Sequence, residues 1–131
     1  MKICVTVASN TLESPVDPRF GRCQYLLFVD LENMSLKAVS NVGAGFMSGA
    51  GVQVAQNIVK EGAAAVITGN VGPNAFQVLR AGGVKVFTGI QGTAREAIER
   101  YKKGELKETV NPSAPGHFGM GRGGMGGGRG R

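Results

Sequence analysis

The chain has 131 residues, of which 42% are hydrophobic and 18% charged, and its formal net charge is +6 at pH 7. This length allows one domain with a single core. No apolar run is long enough to span a bilayer, and no charged-then-apolar leader with a small-residue cleavage site is present. We therefore expect a cytoplasmic protein with no membrane contact. In that compartment its two cysteines, Cys4 and Cys23, are expected to be free thiols.

Glycine is unevenly distributed along the chain. There are 22 glycines, and nine of them lie in the last 16 residues, GHFGMGRGGMGGGRGR. Such a segment cannot bury a core, so we divide the chain into an α/β domain at 1–108 and a flexible tail at 109–131. The tail carries Arg122, Arg129 and Arg131 and no acidic residue. Half of the net charge therefore lies in the tail, which favours an anionic partner for it.

The first half of the domain is predicted to be strands and loop. Residues 2–8 alternate as a strand that places Cys4 on the face opposite Ile3, Val5 and Val7. A long loop at 9–22 follows, with two prolines and no periodicity, and loops of this length are often functional. A hairpin with strands at 25–31 and 36–42 comes next.

The second half alternates helices and strands. A helix at 50–61 ends at Gly62, and Thr93 with Glu96 forms a capping box for the last helix, which runs to Gly104. Between them the pattern predicts a strand at 64–68, a helix from Pro73 to Gly82, and a strand at 84–88. This order predicts a mixed sheet with helices on both faces.

An internal repeat joins two of these strands to the helices that follow. Residues 66–72, VITGNVG, and 86–92, VFTGIQG, share the pattern V-x-T-G-x-x-G. Such turns place free backbone N–H groups and the positive end of a helix dipole at the carboxyl edge of a sheet. Two of them side by side predict an anion-facing edge. Alternatively, the glycines serve only the geometry of short turns. The pattern is neither a dinucleotide fingerprint nor a P-loop.

Three segments carry a resemblance to a known family: DPRFGRCQYLLFVDLE, SGAGVQVAQNIVKEGAAAVITGNVGPNAFQVLRAGGVKVFTG and GHFG. Over about residues 2–119 they resemble the dinitrogenase iron-molybdenum cofactor biosynthesis family, which includes NifX-like carriers and the C-terminal domain of NifB-like proteins. The resemblance implies a three-layer α/β/α, ribonuclease H-like fold. Its five-stranded mixed sheet would have the order 3-2-1-4-5 with strand 2 antiparallel. It also implies binding of iron-sulfur cofactors or their precursors rather than catalysis.

The implied topology brings the loops at 9–22, 43–50, 69–73 and 89–92 to one edge of the sheet, where ligands bind at the reversal of strand order. The candidate ligand-binding residues are Arg19, Phe20, Gly21, Arg22, Ser48, Gly49 and Asn70, with Arg122, Arg129 and Arg131 from the tail. Many relatives have HGAG where this chain has SGAG, so Ser48 replaces a histidine, and a serine hydroxyl is a poor ligand for iron.

Few side chains could ligate iron directly. Cys4 is expected to be a core thiol. Cys23 is a candidate metal ligand because Arg19 and Arg22 beside it would lower its thiol pKa, and His117 is a second candidate. So few ligands cannot enclose an ordinary four-cysteine cluster. Sharing ligands between subunits, or binding a preformed anionic cluster by charge and N–H groups, fits better.

These observations predict a non-enzymatic protein that binds, carries or stores an iron-sulfur cluster, a cofactor precursor or an iron sulfide in an anaerobic cytosol. The domain would self-associate or dock, and no His-carboxylate or Cys-His-Asn grouping points to an enzyme. The alternative is a nucleic-acid-binding adaptor whose Arg-Gly tail makes weak phosphate contacts. Phe118 is the only aromatic residue of the tail, which offers few stacking platforms.

Overall fold

The computed structural model describes residues 1–41 and 50–111, which form a five-stranded mixed sheet with the order β3-β2-β1-β4-β5. The middle strand β1 pairs antiparallel with β2 and parallel with β4, while β2–β3 is antiparallel and β4–β5 parallel. The strands are β1 (Lys2–Val7), β2 (Tyr25–Asp30), β3 (Leu36–Ser40), β4 (Ala65–Ile67) and β5 (Lys85–Phe87). The predicted order and the antiparallel second strand are confirmed.

Three helices follow the predicted pattern: α1 (Ala50–Lys60), α2 (Pro73–Ala81) and α3 (Ala94–Lys102). Gly62, two residues after α1, has a φ of 81°, the left-handed conformation that glycine adopts at little cost. The capping box of Thr93 and Glu96 is present at the start of α3. None of the described helices is long and apolar enough to cross a membrane.

Each face of the sheet buries its own apolar cluster, so the domain has three layers. On one face Cys4 and Phe28 pack in a cluster with α1 and α2. On the other face Ile3, Val5 and Val7 pack in a cluster with α3. The predicted alternation of β1 is therefore confirmed. Burial of one such aliphatic side chain contributes about 1.5–3 kcal/mol, which makes β1 the centre of the fold.

Residues 105–110, which we call the C-terminal strap, cover the β5 side of the sheet. The Thr109 N–H donates to the Val86 carbonyl at 2.7 Å, and the Thr109 hydroxyl accepts from the Thr88 N–H at 3.0 Å. Leu106 packs against the α3-face cluster. The predicted domain boundary after residue 108 thus falls within a segment that is still bonded to β5.

Candidate functional site

The long loop after β1 is fastened to the carboxyl ends of β1 and β4 by a buried network. Asp17 of the loop makes two hydrogen bonds with Thr6 of β1. The Asp17 N–H donates to the Thr6 carbonyl at 2.8 Å, and the Thr6 hydroxyl donates to the Asp17 carbonyl at 2.9 Å. The Thr6 and Thr68 hydroxyls lie 2.8 Å apart, and both residues are fully buried. Satisfied buried networks of this kind fix a unique geometry. The loop is therefore a positioned element.

Asp17 and Arg19 form a side-chain pair at the surface of this loop. The Asp17 carboxylate accepts hydrogen bonds from Nε and Nη2 of Arg19 at 3.2 and 3.3 Å. Side-chain exposure is 3% for Asp17 and 60% for Arg19. A guanidinium has five N–H donors in a rigid plane, and Asp17 engages only one edge of it. The opposite edge of the Arg19 guanidinium is left with donors for an anion.

Asn70, which follows β4, lies directly beside this loop. Its backbone N–H donates to the Pro18 carbonyl at 2.9 Å, and Arg19 and Asn70 form an isolated parallel bridge. Gly69 permits the approach, because a Cβ there would lie 2.4 Å from the Pro18 Cα. Arg19 and Asn70, both predicted to bind ligand, are thus neighbours where β1 and β4 meet. The predicted convergence of loops 9–22 and 69–73 is confirmed.

The two V-x-T-G-x-x-G turns differ in whether the protein itself bonds the backbone N–H groups at the start of the following helix. At α3 the Glu96 N–H is capped by Thr93, and the Ala94 and Arg95 N–H groups donate to loop carbonyls at 2.8 and 2.9 Å. The prediction that both helix starts face an anion is wrong for α3, because the protein itself uses these donors. At α2 the N-cap is Gly72, with no side-chain cap bond and no acid in the first turn. Of the two turns, only the one before α2 fits the prediction of N–H groups that face an anion.

Residues 20–22 form a 3₁₀ turn with one buried and one exposed side chain. Phe20 is buried in the cluster with α1 and α2, so its ring anchors the turn. Arg22 is exposed, and within the described residues its side chain has no ion-pair partner. Asn41, at the end of β3, donates to the Gly21 and Cys23 carbonyls at 3.4 and 2.9 Å. Sequence analysis missed Asn41, because nothing local marks a contact 18 residues away.

Cys23 is a core thiol. It is 2% exposed and packs in the same cluster as Cys4, and both cysteines are free. Burial, followed by the charge of Asp17, raises the pKa of Cys23 to about 12, and the opposing effect of Arg19 is smaller. Arg19 does lower this pKa, but burial and Asp17 outweigh it, so the predicted low thiol pKa is wrong. The expectation of a thiolate ligand at Cys23 depended on a low pKa and therefore loses its support. The prediction that Cys4 is a core thiol is confirmed.

Over residues 1–41 and 50–111, no group of three or more His, Cys, Asp or Glu side chains could hold a metal ion. Six other predicted positions lie outside the described residues: Ser48, Gly49, His117 and the tail arginines Arg122, Arg129 and Arg131. The described part of the site therefore offers N–H donors and exposed arginine charge rather than a set of direct metal ligands.

Comparison with known proteins assigns the chain to a family. The family model described as "Dinitrogenase iron-molybdenum cofactor" matches residues 1–104. The chain belongs to this family, which confirms the resemblance drawn from its sequence.

Solved structures share the fold. The apo form of the orange protein from Desulfovibrio gigas is 38% identical with a TM-score of 0.83, covering 86% of this chain and 96% of the other. A putative NifB protein from Thermotoga is 34% identical with a TM-score of 0.75, covering 88% and 98%. Among proteins compared by sequence alone, an uncharacterized protein of Methanocaldococcus jannaschii is 31% identical over 111 residues, covering 82% of this chain and 91% of that protein. The chain is thus similar to these proteins over nearly their full length.

Proposed function

We propose that this protein binds an anionic iron-sulfur species as cargo at the carboxyl edge of its sheet, and carries or stores it without chemical conversion. The cargo is an iron-sulfur cluster, a cofactor precursor or an iron sulfide. Membership of the iron-molybdenum cofactor family supports a metal-sulfur cargo, as does the similarity to a protein whose structure is described as an apo form. The proposal includes the tail arginines and self-association of the domain.

The observation that carries the proposal is the Arg19 guanidinium, fixed by buried Asp17 beside exposed Asn70. Its outward N–H groups can donate to sulfide, and its charge offsets that of an anionic cluster. Hydrogen bonds and charge suffice for a cargo whose iron is already coordinated by sulfide. They do not suffice for bare iron, which needs thiolate or imidazole ligands.

The buried, protonated thiols agree with a mode of binding in which the protein hydrogen-bonds to the cargo and does not ligate its iron. With its pKa raised to about 12, Cys23 stays protonated at physiological pH, and the thiolate is the form that ligates iron. The cargo therefore brings its own sulfide, and the protein contributes donors. Ser48 fits the same mode, because its hydroxyl hydrogen-bonds but ligates iron poorly.

Anaerobic reconstitution with ferrous iron and sulfide tests the proposal on the full chain. Arg19→Gln removes the fixed guanidinium, and Arg100→Gln is the matched control, an exposed arginine near the C-terminal end of α3. We expect Arg19→Gln to retain several-fold less iron and sulfide after desalting, and Arg100→Gln to match the wild type. Equal loss in both variants would contradict a site at the carboxyl edge.

Binding of single-stranded RNA distinguishes the alternative function, a nucleic-acid-binding adaptor, from the proposed one. An adaptor would retain RNA through the tail at low salt and release it as salt rises, because released counterions drive such binding. Retention of RNA together with no iron beyond that of a charge-matched protein would favour the adaptor. Retention of iron sulfide in the presence of excess RNA is the result that the proposed function predicts.

A further inference from the structure

The two edges of the sheet differ in what lies beside them. At the β5 edge the C-terminal strap is bonded alongside, with the Thr109 N–H donating to the Val86 carbonyl at 2.7 Å. At the other edge β3 pairs with β2 on its inner side, and over residues 1–41 and 50–111 no strand pairs with its outer side. An uncovered edge strand presents backbone N–H and C=O groups that can pair with another extended chain. Within the described residues, β3 is therefore the open edge of the sheet.

The pairing of β3 with β2 determines which backbone groups point outward. The Asn41 N–H donates to the Gln24 carbonyl at 2.9 Å, and the Ser35 carbonyl accepts from the last residue of β2 at 3.0 Å. The odd-numbered residues of this segment therefore bond to β2. In an antiparallel ladder the alternate residues direct their N–H and C=O groups the other way. Leu36 and Ala38 thus direct their backbone groups away from the sheet.

Strand β3 lacks the features that commonly protect an edge strand from pairing, which are a bulge, a proline or an unpaired lysine. Its register with β2 is continuous from Leu36 to Ser40, and it contains no proline. Its one charged residue, Lys37, donates to both carboxylate oxygens of Glu61, at 3.2 and 3.0 Å. Leu36, in contrast, is 45% exposed to solvent. The charge of this edge is balanced within the chain, and its exposed apolar surface favours association.

A second copy of the chain fits this edge because the edge is complementary to itself in one antiparallel register. When Ala38 lies opposite Ala38 of the second copy, the N–H of each donates to the C=O of the other. In this register Lys37 lies opposite Val39. Shifting one copy by two residues would instead place Lys37 opposite Lys37, and like charges directly opposite each other are destabilising. The charge pattern of β3 therefore selects the register centred on Ala38.

We propose that two copies of this chain associate through their β3 edges as antiparallel neighbours, with Ala38 at the two-fold axis. The two five-stranded sheets then form one continuous sheet. Because the two β3 strands run in opposite directions, the carboxyl edges of the two copies point away from each other. Each copy therefore keeps its own Arg19 site. This inference rests on the self-association included in the proposed function and assigns that association to a surface.

The oligomeric state of the full chain, freed of iron with a chelator and measured by analytical ultracentrifugation, tests the inference. We expect the wild type to form a dimer. Ala38→Pro removes the outward N–H and no bond to β2, and proline is tolerated at such positions of an edge strand. It should weaken dimerisation at least about 10-fold, because two reciprocal hydrogen bonds are lost. Ala38→Ser keeps the N–H and should dimerise as the wild type does.

Two results of this measurement would overturn the inference. One is a wild-type chain that stays monomeric at the highest concentration at which it is soluble. The other is an Ala38→Pro chain that dimerises as tightly as the wild type, because the association would then use another surface, such as the tail or the α3 face.

A pair of charged variants tests the register without relying on proline. Ala38 is exposed, and Ala38→Lys alone or Ala38→Glu alone would place like charges opposite each other across the axis, which should weaken dimerisation. An equimolar mixture of the two should form a heterodimer, because opposite charges then meet. Gln56→Lys, which adds the same charge at an exposed position of α1, should dimerise as the wild type does. A mixture that stays monomeric would overturn the pairing at Ala38.

Retention of iron and sulfide after anaerobic reconstitution separates this inference from the binding of cargo. Since each copy keeps its own site, Ala38→Lys should retain as much iron per chain as the wild type. A monomeric wild type that retains iron sulfide would overturn the inference and leave cargo binding standing. A wild-type dimer that retains no more iron than a charge-matched protein would overturn cargo binding and leave the β3 interface standing.

Discussion

The carboxylate of Asp17 accepts three hydrogen bonds from Arg19, at 2.9 Å from the backbone N–H and at 3.2 and 3.3 Å from the side chain. One acid thus fixes both the course of the loop and the orientation of the guanidinium. Because Asp17 is buried and Arg19 exposed, the pair presents a positive charge with defined donors to solvent. An oriented donor set of this kind costs less to order on binding than a free arginine.

Asp17→Asn tests the value of that orientation. The substitution keeps a polar side chain of the same size and leaves the Arg19 charge in place, but it removes the charged acceptor. We expect a several-fold loss of iron sulfide retention, and a loss of about 1–3 kcal/mol in the free energy of unfolding from the weakened buried hydrogen bonds. Urea unfolding and anaerobic retention measure the two effects. Full retention would show that the charge of Arg19 is sufficient without orientation.

Gly69→Ala tests the contact between the β4 turn and the loop after β1. The new Cβ would lie 2.4 Å from the Pro18 Cα and 3.1 Å from its carbonyl oxygen, so backbone must move. We expect destabilisation of about 1–3 kcal/mol, as in other overpacked sites. Gly72→Ala is the control in the same turn, since it meets nothing within 4 Å and has a φ of −78°. Equal stabilities of the two variants would contradict the described packing.

Substitutions at Thr6 and Thr68 should have coupled effects on the free energy of unfolding. Thr6→Val leaves the Asp17 carbonyl and the Thr68 hydroxyl without a buried partner, which costs about 1–3 kcal/mol of unfolding free energy. Thr68→Val should cost less once Thr6 is already Val, because the bond between them is then absent. A double-mutant cycle by urea unfolding should give a coupling of about 0.5–3 kcal/mol. Strict additivity would contradict the hydrogen bond.

Both cysteines should resist alkylation in the folded protein. Cys4 and Cys23 are buried, and burial raises the pKa of each, that of Cys23 to about 12. Iodoacetamide should therefore label them only after unfolding in urea, as followed by mass spectrometry. Rapid labelling of Cys23 in the native protein would contradict its place in the core and restore it as a candidate ligand.

The raised thiol pKa also fixes the sign of a pH effect on stability. An unfolded thiol has a pKa of about 8.5, whereas burial raises the pKa of Cys23 in the folded protein to about 12. The contribution of the protonated thiol to the free energy of unfolding is therefore complete below the unfolded pKa. This contribution is lost as the pH rises from the unfolded pKa to the folded pKa. One such group changes the unfolding free energy by at most about 1.4 kcal/mol per pH unit. Cys23→Ala should therefore show a shallower alkaline decline than wild type, and an unchanged slope would contradict the shift.

Sequence reasoning succeeded where local chemistry determines structure. The alternation of β1 and the Thr93–Glu96 capping box need only neighbouring residues, and both are present as expected. It failed where remote contacts decide: the partner of Thr6 is 62 residues away, and the carbonyls held by Asn41 belong to another loop. For Cys23, the sequence showed the adjacent arginines but not the burial that outweighs them.

The metal content of the natural protein tests the central claim most directly. The full chain is purified without oxygen, and iron and acid-labile sulfide are measured per chain beside a protein of equal net charge handled identically. Binding of an anionic iron-sulfur cargo predicts iron and sulfide well above the charge-matched protein, with a marked reduction in Arg19→Gln. Iron and sulfide at the level of the charge-matched protein, in both wild type and variant, would contradict it.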